Sequence, residues 1–150
     1  MSNVRVLVGT RKGAFILNSD EKREKWEVSG PHFAGWEIYH MKGSDVDPNR
    51  IYASTINTAT GGGFFFVSND MGESWRPSMR SMPSRLITYS ILQDSRDGNV
   101  IYLGTNLGVY RSTDRGATWA PVWSTEKKKP VGKKPATKRA PRQRIKPNAA

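Results

Sequence analysis

Ser68-Asn69-Asp70-Met71-Gly72-Glu73-Ser74-Trp75 and Ser112-Thr113-Asp114-Arg115-Gly116-Ala117-Thr118-Trp119 spell the same pattern, S-x-D-x-G-x-[ST]-W. Each residue type in it has a task in a tight β-turn. The aspartate accepts backbone N–H groups within the turn, and the glycine takes a positive φ without a Cβ clash. The Ser and Thr hydroxyls add local bonds to the backbone, and the tryptophan anchors the outgoing strand. Because Asp70 to Asp114 and Trp75 to Trp119 are both 44 residues apart, the recurrence is a structural period. A period of that length predicts one four-stranded propeller blade per repeat.

A second phrase precedes each turn. Ile51-Tyr52-Ala53-Ser54-Thr55 matches Ile101-Tyr102-Leu103-Gly104-Thr105, and Val6-Leu7-Val8-Gly9-Thr10 is a third copy. Each leads into a glycine and a β-rich run: Gly13-Ala14-Phe15-Ile16-Leu17, Gly63-Phe64-Phe65-Phe66-Val67 and Gly108-Val109-Tyr110-Arg111. Residues 18–26 then form a degenerate turn that keeps Ser19, Asp20 and Trp26, lacks the glycine and carries one extra residue. Alternation and turn chemistry place strands at 4–9, 13–18 and 25–29, at 36–42, 50–56, 63–68 and 74–77, and at 86–93, 100–105, 108–112 and 118–122.

The turn resembles the Asp-box of the BNR repeat, found in sialidases, sortilin-type receptors, xyloglucanase-type glycosidases and photosystem-assembly factors. The resemblance implies an all-β propeller, with each box on the hairpin between the third and fourth strands, away from the central axis. It implies structural roles for Ser68, Asp70, Gly72 and Trp75, and for Ser112, Asp114, Gly116 and Trp119. The motif that opens a sialidase active site, Phe-Arg-Ile-Pro, is absent, and no arginine triad is identifiable, so catalytic residues are not carried over.

The first unit, about 4–30, has three strands, whereas the units at about 36–78 and 86–123 have four. Propellers close with four to eight blades. The expectation is therefore a partial propeller of just under three blades over residues 1–125. It would be a truncated or frame-shifted piece, a self-associating chain, or a short open array whose strand edges invite association.

The chain carries a net charge of +11, but residues 127–150 hold ten Lys or Arg and no acid, leaving residues 1–126 with 14 bases against 13 acids. Four prolines and almost no apolar residues there predict a disordered tail over 126–150. Lys133, Lys134, Lys138, Arg139, Arg142 and Arg144 would contact nucleic-acid phosphates without reading sequence, or act as a nuclear import signal in a eukaryote. Cysteine is absent, excluding disulfides and Cys-based zinc sites. No apolar run is long enough to span a bilayer and no export signal is visible, so the sequence reads as cytoplasmic.

Catalytic candidates are few. Gly35-Trp36-Glu37-Ile38-Tyr39-His40 lies on an expected innermost strand, with Asp45 and Asp47 in the following loop. Trp36 and Tyr39 suit stacking on a sugar, and Glu37 with Tyr39 are the candidates for glycosidase chemistry. Strict alternation puts Glu37 and Tyr39 on one face and Trp36, Ile38 and His40 on the other. His32 and His40 match no metal-ligand spacing, Gly61-Gly62-Gly63 lacks a following Gly-Lys-Ser/Thr, and no cofactor is expected. The leading reading is a noncatalytic, sialidase-like repeat module that binds a carbohydrate or protein. The alternatives are a glycosidase, sialidase-like or xyloglucanase-like, completed by further blades or an oligomer, and nonspecific nucleic-acid binding through the tail.

Overall fold

The computed structural model describes residues 3–125, and within them every regular element is a strand. Eleven strands form: β1 Val4–Thr10, β2 Gly13–Ser19 and β3 Trp26–His32; β4 Glu37–Gly43, β5 Ile51–Asn57, β6 Gly62–Ser68 and β7 Arg76–Pro77; β8 Thr88–Gln93, β9 Ile101–Thr105, β10 Gly108–Ser112 and β11 Ala120–Ser124. They build three antiparallel meanders, β1-β2-β3, β4-β5-β6-β7 and β8-β9-β10-β11. These are the blades read from the repeat, with strand ends displaced by at most three residues. The basic-tail residues Lys133 to Arg144 lie outside the described residues.

Local chemistry shows how the blades correspond. Thr10 Oγ1 donates to the Gly13 carbonyl and Thr105 Oγ1 to that of Gly108, each at 2.8 Å. The same hydroxyls accept the Lys12 and Leu107 amides, while Gly13 and Gly108 adopt φ of 133° and 125°. The β1–β2 hairpin is therefore the counterpart of β9–β10, and β1 corresponds to the second strand of a four-stranded blade. Its inner edge pairs with no described strand.

Blades stack face to face. Between the second and third, Tyr52, Phe65 and Val67 meet Leu86, Ile91, Ile101, Leu103, Tyr110 and Trp119 in the main apolar core. Trp119 sets its edge against Phe65 with centroids 5.1 Å apart, and its indole N–H donates to the Ser78 carbonyl at 2.9 Å. At the first joint the Gly72 turn covers Ile16, and Trp75 packs against His32 and Phe33. Gly63 lies within β6 paired with Ile56. A Cβ there would stand 2.5 Å from Ile87 Cα, so glycine permits the close passage of the next blade's backbone.

The meander order sorts the connections to two ends. The β1–β2, β5–β6 and β9–β10 turns and the β3–β4 and β7–β8 links share the upper end, tied by Gly35 N–H to Lys12 O and by Asn106 Nδ2 to Arg85 O. The remaining turns share the lower end, where Met71 N–H reaches Asn49 O and Arg115 N–H reaches Asn99 O.

Candidate functional site

The two Ser-Asp-Gly-Trp turns have one geometry. Ser68 Oγ donates to Asp70 Oδ1 and accepts the Gly72 amide; Ser112 does the same with Asp114 and Gly116. Each carboxylate also takes the amide and hydroxyl of the residue four further on, Ser74 or Thr118. Gly72 and Gly116 hold φ of 95° and 89°, and the preceding Met71 and Arg115 are left-handed as well, at 60° each. The Ser74 hydroxyl and amide, then Ser68, bring the Asp70 carboxyl down to about 2. Burial works to raise Asp114, but the Thr118 and Ser112 hydroxyls and turn amides override it and leave it lowered. The degenerate turn differs: Ser19 Oγ donates to the Lys25 carbonyl, and Asp20 accepts the Lys22 and Arg23 amides.

Most other acids sit at the same lower end. Asp45 pairs with Lys42, Asp47 with Arg50, and Asp94 with Arg96, while Asp97 accepts the Asn99 amide. Glu21, Glu24, Glu27 and Glu73 belong to lower-end turns or the adjoining strand start. Among the described residues Glu37 is the one carboxylate at the upper end, separated from the Asp45 turn by the length of β4, roughly 20 Å at about 3.3 Å per residue.

Glu37 forms the centre of a cluster drawn from all three blades. Arg11, from the β1–β2 turn, pairs with it at 3.4 Å. Tyr39 follows on β4 and meets Tyr89 of β8 edge to face, with centroids 5.3 Å apart and planes at 74°. Both tyrosines remain exposed, 42% and 44%. Burial raises the Tyr39 phenol above its ordinary value, Glu37 and Tyr89 add to the rise, and Arg11 opposes it. Tyr39 is thus a protonated phenol, able to donate a hydrogen bond and to stack.

Strict alternation fails along β4. Ile38 pairs with Thr55 and His40 with Ser54, leaving Tyr39 as the extra residue of a bulge. Thr88 and Ser90 flank Tyr89 in the same way opposite Thr105 and Gly104. His40 therefore faces the third blade, where Nδ1 accepts the Ile91 amide at 2.9 Å, and Ser54 Oγ donates to Thr88. Trp36 lies before β4 and joins Phe33, Phe64 and Phe66 instead of Tyr39. Tyr89 and Arg11 were not singled out from sequence, although Tyr39 and Tyr89 are 50 residues apart, the spacing that relates Ile51 to Ile101. Among the described residues no three His, Cys, Asp or Glu gather as metal ligands, and no helix is long and apolar enough to cross a membrane.

No protein-family model matches the chain. A xyloglucanase of Paenibacillus sp is 30% identical over 131 residues, spanning 75% of this chain and 12% of that enzyme. Xyloglucanase Xgh74A of Acetivibrio thermocellus is 35% identical over 122 residues, 70% of this chain and 14% of its own length. The crystal structure of an ancestral GH74 enzyme superposes with a TM-score of 0.62 at 25% identity, covering 81% of this chain and 17% of the enzyme. The chain is therefore a homologue of GH74 xyloglucanases that shares their propeller architecture and spans about an eighth of the length of these curated relatives.

Proposed function

We propose that these blades form a noncatalytic carbohydrate-binding wall, with Tyr39 and Tyr89 as the stacking surface and Glu37 and Arg11 as polar contacts beside it. One observation carries the reading: the upper-end cluster holds a single carboxylate, already paired with Arg11. Most glycoside hydrolases, unlike those with a tyrosine nucleophile, use two carboxyl groups about 5–10 Å apart. Here the other described acids sit at the far end of the strands. An exposed aromatic pair carrying phenol hydroxyls suits a sugar ring, which presents both C–H faces and hydroxyl edges. We further read the two Ser-Asp-Gly-Trp turns as Asp-boxes of the BNR type with a structural role, since their carboxylates are occupied by turn donors.

The xyloglucanase relatives favour a second reading for a longer protein, a glycoside hydrolase in which further blades supply the missing carboxylate. The experiment that separates the two is calorimetric titration of the full chain with xyloglucan oligosaccharides and sialyllactose, together with a reducing-sugar assay. Binding that falls roughly tenfold or more, ~1.4 kcal/mol, in Tyr89→Ala with unchanged melting and no sugar release supports the noncatalytic wall. Release of reducing ends that Glu37→Gln abolishes overturns it.

A further inference from the structure

The two blade joints repeat one operation. In each, the face of a blade turned toward the next blade receives that blade's rear face, with a turn glycine placed over β2 in the first joint and over its counterpart β6 in the second: Gly72 over Ile16, Gly116 over Phe65. The rear face of the third blade buries Ile101, Leu103 and Tyr110 in its joint, and the forward face of the second buries Tyr52, Phe65 and Val67. Register assigns the counterparts. Ile101 pairs with Ser112 and Leu103 with Tyr110, as Val6 pairs with Leu17 and Val8 with Phe15. Tyr102 and Val109 stand in the third blade where Tyr52 and Phe65 stand in the second.

Among the described residues one face of each kind is therefore left unpacked. The rear face of the first blade is an apolar row of Val6, Leu17 and Val28 across three strands, with Val6 40% and Val28 62% exposed. The forward face of the third blade presents Leu92 and Trp123, 63% and 62% exposed, beside Tyr102 and Val109. Arg111 on this face lies with its guanidinium 6.0 Å from the Tyr102 ring centroid, keeping an aromatic partner of its own.

We propose that the forward face of the third blade docks the rear face of the first blade of a second copy of this chain, repeating the joint already built twice within it. The contact is heterologous, because different surfaces meet, so it adds copies head to tail and ends in a ring only if the rotation closes. Its chemistry is that of the internal joints: aliphatic and aromatic side chains on both sides and no uncompensated acid in either row. The proposal is independent of the carbohydrate reading.

Light scattering after size-exclusion chromatography of the full chain tests it, using Leu92→Asp to block the forward face and Val6→Asp to block the rear face. Both positions are exposed, and far-UV circular dichroism checks that each variant keeps its strands. The expected result is a wild-type mass of two or more copies, each variant alone at one copy, and an equimolar mixture at two copies, since every variant retains one competent face. A one-copy wild type would overturn the proposal and assign these faces to further blades of a longer chain. An assembly indifferent to both substitutions, or a mixture that stays at one copy, would overturn it equally.

Discussion

Replacing Gly72 by alanine tests the joint between the first two blades at its tightest point. Gly72 has φ of 95°, and a Cβ there would stand 2.2 Å from Ile16 Cδ1, with Trp75 Cζ2 next at 3.5 Å and Ile16 Cγ1 at 3.7 Å. The backbone strain of a side chain in the left-handed region costs about 1–2 kcal/mol, and forcing a methyl into a filled joint costs about 1–3 kcal/mol, so Gly72→Ala should lose ~2–5 kcal/mol. Ile16 is 1% exposed, and Ile16→Val alone should lose about 0.5–1.5 kcal/mol. Valine lacks the Cδ1 that the new methyl meets, so the double variant should be less destabilised than the sum by roughly 1–3 kcal/mol. Urea unfolding of the four proteins, followed by circular dichroism with constant m-values, gives the cycle. Losses that add to within about 0.3–0.5 kcal/mol would refute the claim that glycine is required by contact with Ile16 and leave only the backbone conformation. Gly116→Ala is the internal comparison: its Cβ would lie 3.1 Å from Phe65 Cε1, a ring edge able to give way, so it should lose less than Gly72→Ala.

Trp119→Phe should cost about 0.5–1.5 kcal/mol more than Trp75→Phe, because Trp119 Nε1 donates to the Ser78 carbonyl whereas Trp75 Nε1 meets no acceptor among the described residues; equal losses in thermal melts would contradict this. Asp70 should titrate near 2 by carbon-detected NMR. With its folded value below the unfolded one, its stabilising effect is complete above the ordinary carboxylate range and disappears as pH falls through about 2. An ordinary titration midpoint for Asp70 would show that the turn bonds do not form in solution. Burial, and then Lys42, lower the His40 value, so the neutral imidazole that accepts the Ile91 amide is favoured on folding. Stability from it is present above pH ~6.5 and declines as pH falls further. The protection factor of the Ile91 amide should fall as pH drops through the imidazole range in the wild type and show no such step in His40→Gln, and an Ile91 protection profile identical in both would remove the bond from the account.

Much of the architecture is a local matter and so was legible residue by residue. The S-x-D-x-G-x-[ST]-W turn satisfies its own donors and acceptors within eight residues, which is why both copies adopt one conformation and could be placed from the pattern. Alternation located eleven strands because the faces packed at the blade joints bury every second residue. The three strands of the first unit also followed, since Val6-Leu7-Val8-Gly9-Thr10 repeats the phrase Ile101-Tyr102-Leu103-Gly104-Thr105.

The site was decided elsewhere. Tyr39 and Tyr89 meet only because each occupies a bulge, and a bulge is set by what the neighbouring blade offers the displaced backbone: His40 for Ile91, Ser54 for Thr88. Arg11 reaches Glu37 across a blade boundary, 26 residues away in sequence. The repeat by itself determined that the chain folds as propeller blades, because each hairpin is stabilised by bonds between near neighbours. Only the tertiary structure decided that a single carboxylate, a guanidinium and two phenols share one end, because contacts between separate sheets depend on register and stacking, which no local pattern encodes.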